Sequence, residues 1–183
     1  DVHRMRHCYS AIMAGIGTVL ADDPMLNTRI EGLTSPVRVI CDSSLRIPLD
    51  SNILKTAETY ETIIFCASEN EKADRIRGMG AEVIACARNG KVDLNQVIDI
   101  LGKRGIDSIL LEGGGTLNED ALKSGIVNEI DLFIAPKVFG GADAKSPVEG
   151  IGIDTVEQGY NFLLKDVRKI GEDLKIRYVY RNS

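Results

Sequence analysis

The stretch Asp107–Gly125, DSILLEGGGTLNEDALKSG, decides how the rest of the chain is read. Ile109, Leu110 and Leu111 have the character of a buried strand, and Glu112 closes it. Gly113, Gly114 and Gly115 follow; without a Cβ they allow a sharp turn and a close approach by another group. A helix is expected from about Thr116 to Ser124, with Thr116 and Glu119 at capping-box spacing. A glycine turn feeding a helix is a ready anion site, because unpaired N–H groups point outward there. A tight turn with no ligand uses the same residues. The acid at the end of the strand favours a site.

Strands and helices alternate on both sides of this element. Ala11–Ala14 reads as a short buried strand running into Gly15-Ile16-Gly17-Thr18. Val37–Cys41, Thr62–Cys66 and Glu82–Cys86 are further strands, the first a near-continuous β-branched run of the kind covered on both faces. Helices are expected over Asn70–Met79 and Asp93–Lys103, where Leu94, Val97, Ile98 and Leu101 follow a 3.6-residue period. Glu129–Val138 reads as the longest strand, and Asn161–Ile170 with Leu174–Arg181 as an antiparallel hairpin around Gly171. The expected fold is α/β: a three-layer, mainly parallel sheet with helices on both faces and a C-terminal antiparallel hairpin, forming one domain over residues 1–183. Ligands of such sheets sit beyond the carboxyl ends of the strands. Gly15–Asp22, Asp42–Arg46 and Glu112–Asn118 all fall there.

Composition narrows the functional classes. Hydrophobic residues at 44% and charged residues at 27% suit an ordinary globular protein. A net charge of −5 without a basic run argues against nucleic acid as a partner. The longest apolar stretch, Ala11–Ala21, is too short to span a membrane. Of the four cysteines, Cys41, Cys66 and Cys86 close β-rich runs and no CxxC occurs, as expected of buried thiols in the cytosol. His3 and His7 are the only histidines and lack a companion glutamate motif, so no metal is expected. Lys145-Ser146 in FGGADAKSP is not a phosphate-binding loop, since Ala144 replaces the required glycine. No GxSxG turn supports a hydrolase. What remains is a site of backbone donors, hydroxyls and a few charges, which suits a dinucleotide that carries its own redox chemistry.

AIMAGIGTVLADDPMLNTR, VRVICDSSLRIP, ILLEGGGTL and VNEIDLFIAPKVFGG together resemble the reductase domain of the bacterial riboflavin-biosynthesis deaminase/reductase over nearly the whole chain. The resemblance implies a dihydrofolate-reductase-like fold, NADPH as cofactor and reduction of a phosphoribosylaminopyrimidine to its ribityl form. It assigns Thr18, Asp22, Ser43, Gly114, Gly115, Thr116, Leu117 and Asn118 to the cofactor. Arg6, Leu26, Arg29 and Glu112 fall to the substrate, and no residue is assigned to proton transfer. The two arginines suit a sugar phosphate, whose oxygens a guanidinium binds in a fork. Ser43, Ser44 and Arg46 stand where a 2′-phosphate could be held.

The resemblance also implies features outside these residues. A first strand and a zinc deaminase domain are expected to precede Asp1, so the chain reads as a truncated reductase, and a homo-oligomer is expected. A cis bond is implied between Gly113 and Gly114, as at the matching turn of dihydrofolate reductases. Two alternatives stand beside this reading. One is a pterin reductase of the same fold, which 5% aromatic residues and the two arginines disfavour. The other is a non-catalytic nucleotide-binding domain.

Overall fold

The computed structural model describes residues 2–141 and 144–181. In chain order the elements are α1 (Val2–Cys8), β1 (Ala11–Gly15), α2 (Ile16–Asp22), β2 (Val37–Cys41), α3 (Asn52–Lys55), β3 (Thr62–Cys66), α4 (Lys72–Arg77) and β4 (Glu82–Ala85). They continue with β5 (Ala87–Arg88), β6 (Lys91–Val92), α5 (Leu94–Lys103), β7 (Ile109–Leu111), α6 (Gly115–Lys123), β8 (Glu129–Ile134), β9 (Phe162–Ile170) and β10 (Asp173–Tyr180). Five strands form a parallel sheet in the order β4-β3-β2-β1-β7. Side chains alternate between its faces. Ile12, Ala14, Ile40 and Ile64 pack with Ile16 and Val19 of α2, Ile53 and Leu54 of α3, and Ala73 and Ile76 of α4. Met13, Val39, Ile63 and Phe65 pack instead with Leu94, Val97 and Leu101 of α5 and Leu117 and Ala121 of α6. Three layers follow from this alternation, as expected.

Arg38 sits inside this apolar sheet and is fully buried. Its guanidinium donates to Thr62 Oγ1, Thr56 Oγ1 and the carbonyls of Ile53, Tyr60 and Met25, and lies 5.2 Å from the Tyr60 ring centroid. Burial draws it down to about 10. Neutral acceptors thus satisfy a cation that would otherwise be costly inside a fold.

The last three strands form a separate antiparallel sheet, β8-β10-β9. The hairpin is as expected, but β8 ends at Ile134 and not at Val138, so that β9, and not β8, is the longest strand. Pro136 has no N–H for a ladder, which accounts for the early end. Helix α4 is also shorter than expected; Asn70 stays outside it and accepts from Lys72 N–H at 2.9 Å. All described peptide bonds are trans, which corrects the expectation for Gly113–Gly114. A trans turn there already brings the Gly114 N–H to an acceptor on α2. Among the described strands, β7 pairs only with β1 and β8 only with β10, so each sheet has an open edge here.

Candidate active site

The glycine turn is docked on the end of β1. Glu112 N–H donates to Met13 O at 2.9 Å, which carries the pairing with β1 one residue past β7. A Cβ on Gly113 would stand 3.3 Å from Gly15 N and 3.2 Å from the Leu117 side chain, so the close packing of turn, strand and helix depends on glycine. Gly114 N–H then donates to Thr18 Oγ1 at 3.0 Å. Helix α6 starts at Gly115, with Gly114 as its N-cap, one residue earlier than the spacing suggested. Thr116 therefore lies in the first turn and is not the cap. Glu119 is engaged elsewhere, so the expected capping box does not form. The N–H groups of Gly115 and Thr116 find no acceptor among the described residues. These are the free donors an anion needs.

Next to the turn lies an ion pair. Arg6 on α1 donates to Glu112 through Nε at 3.1 Å and Nη2 at 2.6 Å, a two-pronged contact largely shielded from water. Its third nitrogen, Nη1, donates to Asn27 O at 3.0 Å. Leu26, immediately before, is buried and holds φ +48°, a conformation few residues other than glycine adopt. Asn27 Oδ1 and Thr28 Oγ1 are buried without a partner. Arg6, Glu112 and the chain at Leu26–Thr28 therefore meet in one place, although residues 6 and 112 are 106 apart in sequence. Arg29 does not join them; it is exposed and forms no hydrogen bond among the described residues.

The chain matches the model of the RibD C-terminal domain over residues 1–176. It belongs to that family. The riboflavin biosynthesis protein RibD of Actinobacillus pleuropneumoniae is 48% identical over 180 residues, covering 97% of this chain and 48% of the relative. A protein of Methanothermobacter thermautotrophicus named 2,5-diamino-6-ribosylamino-4(3H)-pyrimidinone 5′-phosphate reductase is 37% identical, covering 98% of this chain and 84% of that protein. Among solved structures, RibD of Acinetobacter baumannii superposes with a TM-score of 0.83 at 27% identity, covering all of this chain and 49% of that one. The chain thus spans about half the length of the RibD proteins it matches.

Within this member of the family the remaining expected residues are scattered. Asp22 is exposed on the last turn of α2, while its neighbour Asp23 accepts from Asn52 N–H at 2.8 Å. Ser43 follows β2 and accepts from Val92 N–H at 3.2 Å, leaving its hydroxyl hydrogen to donate. Arg46 is exposed nearby, and Lys72 Nζ from the start of α4 donates to Leu45 O at 2.9 Å, bringing to that loop a second cation which sequence reading did not single out. Leu117 has its side chain in the core, packed against Gly113 and Gly15 from beneath the turn. Asn118 Nδ2 bridges Gly113 O at 3.3 Å and Pro147 O at 2.7 Å. Asn27 was also missed. Nothing in its type or spacing marks it, because it enters the site through its backbone carbonyl. Among the described residues no group of three metal-binding side chains occurs, and no helix is long and apolar enough to cross a membrane.

Proposed function

We propose that this chain is the reductase part of a riboflavin-biosynthesis protein, which uses NADPH to reduce 5-amino-6-(5-phosphoribosylamino)uracil to its ribitylamino form. The supporting observation is that the Arg6–Glu112 pair and the Thr18-docked glycine turn are contiguous through the Glu112–Gly113 peptide. The free N–H groups of Gly115 and Thr116, with the Thr18 hydroxyl, fit a pyrophosphate. Ser43, Arg46 and Lys72 fit a 2′-phosphate at the far end of a dinucleotide. Bound NADPH would supply a hydride to the sugar carbon attached to the amine, and a proton from solvent would complete the reduction to the open-chain ribityl group. Glu112 would accept from the pyrimidine's N–H groups, and Arg6 fixes the orientation of that carboxylate. The substrate phosphate falls to Arg29, whose guanidinium is unengaged, and Leu26 would offer the sugar an apolar contact.

We also propose that a strand preceding Asp1 in the parent protein pairs along β7. Ile109, Leu110 and Leu111 are apolar yet only half-buried here, as expected of a strand awaiting a neighbour. A fused deaminase domain accords with the half-length match to RibD proteins.

The test is Glu112→Gln in the full-length protein. NADPH affinity should stay near wild type, and kcat/KM for the pyrimidine should fall about tenfold or more, the worth of a hydrogen bond to a charged group, when measured well below a melting temperature that the weakened Arg6 pair lowers. Unchanged turnover, or a loss explained by lower stability, would return Glu112 to a purely structural role.

A further inference from the structure

Residues 146–152 cross the first turn of α6 as a strap. Asn118 ties it to the glycine turn through Pro147 O. A Cβ on Gly115 would stand 2.6 Å from the backbone nitrogen of Glu149, so the strap lies as close as a glycine allows. Glu119, only 5% exposed, accepts from Gly152 N–H at 2.6 Å, and Lys123 Nζ stands 3.0 Å from the same oxygen. Gly150 has φ +154°, and a Cβ there would collide with the Glu119 carboxylate. Lys123 first, then the strap's N–H groups, hold the Glu119 carboxyl below the usual range. The strap buries little in return: Ile151 is 95% exposed, and no strap residue belongs to either core. A segment held almost wholly by polar contacts is one that opens locally at low cost. Those contacts fall on Gly115, Asn118 and Glu119, within the first five residues of the helix that carries the free Gly115 and Thr116 N–H groups.

We propose that Glu119 is a positioning residue for the cofactor: it latches residues 146–152 as the outer wall of the pyrophosphate seat, so that cofactor leaves only when the latch opens. This rests on the cofactor reading above. The latch acts through the backbone of the strap, with Gly150 making room for it. Glu119 itself needs no contact with the cofactor.

The experiment uses the full-length protein and three variants, Glu119→Ala, Gly150→Ala and Glu119→Gln. Glu119→Ala and Gly150→Ala should weaken NADPH binding about tenfold, mostly through faster release, as expected for the loss of a charge-assisted hydrogen bond. Turnover at saturating NADPH and the KM of the pyrimidine should stay within about twofold of wild type. Glu119→Gln keeps an acceptor for Gly152 N–H and should recover most of the affinity. Gly150→Ala leaves the helix intact and serves if Glu119→Ala folds poorly. In a second arm, inorganic pyrophosphate should slow amide exchange over residues 148–152 of wild type but not of Glu119→Ala. Wild type that binds NADPH, with both alanine variants unchanged, overturns the latch. Tighter binding by either variant overturns it too, since the strap would then be a plug. If wild type ignores NADPH while pyrophosphate protects the strap, the latch stands and the cofactor reading falls. If wild type binds NADPH but neither ligand alters strap exchange, the latch is overturned and the cofactor reading stands; if it neither binds NADPH nor protects the strap with pyrophosphate, both are wrong.

Discussion

Strands β3 and β9 are both rich in apolar residues, yet one is sealed and the other is mostly open to water. All five residues of β3, Thr62–Cys66, are buried between β2 and β4 and under helices on both faces. In β9, Leu163, Leu164 and Val167 are exposed, and charged side chains interrupt them. The parallel sheet is held by side chains that interdigitate with two helical layers. The antiparallel sheet has no paired helical layers among the described residues, although Met5 of α1 lies 3.8 Å from Lys175 Nζ, and ions reinforce it. Asp131 on β8 contacts Lys175 at 2.8 Å and Arg177 at 2.8 and 2.9 Å on β10, and its side chain is only 10% exposed. Burial, and not apolar content alone, therefore separates the two sheets.

The largest effect should come from the sealed sheet. Ile64→Ala removes a fully buried side chain at the centre of β3 and should cost about 2–5 kcal/mol in urea unfolding. A cost below about 1 kcal/mol would mean that the sheet is not packed as described. Next comes the charged cluster of the other sheet. The Arg177 hydrogen bond, aided by Lys175, holds the Asp131 carboxyl below the usual carboxylate range. A depressed folded value means that its contribution is present above about pH 4 and is lost as pH falls through the folded value. Asp131→Asn should cost about 1.5–3 kcal/mol at pH 7 and much less at pH 3. Equal costs at both pH values would remove the ionic explanation. The smallest effect is expected at Leu164→Ala on the exposed face of β9, within about 0.5 kcal/mol in the same assay. A larger loss would reveal that something covers this face in solution.

The same contrast explains what was legible in the sequence. Val37–Cys41 and Thr62–Cys66 emerged with their observed bounds, because a strand covered on both faces is apolar at nearly every position, Arg38 and Thr62 being the exceptions. The period of Leu94, Val97 and Leu101 likewise marked the buried face of α5. Arg38 was not legible as a core residue. Its acceptors Thr56, Ile53 and Tyr60 come from 15 to 22 residues away, and only the folded chain gathers them. Long-range pairing hid part of the site as well. Arg6 and Glu112 were marked by resemblance, but that they meet depends on α1 returning across the end of β7. The start of α6 shifted because Gly114 adopts the cap conformation itself, which freed Glu119 for the strap.

The four thiols differ in a way that a chemist can exploit. Cys41, Cys66 and Cys86 are buried, and burial pushes each upward, Cys41 to about 12, so alkylating reagents find little thiolate on them. Cys8 is exposed at the end of α1, two residues after Arg6. Of these four thiols, Cys8 is thus the addressable handle beside the arginine–glutamate pair. A fluorophore attached there would report on that end of the molecule without any engineered cysteine.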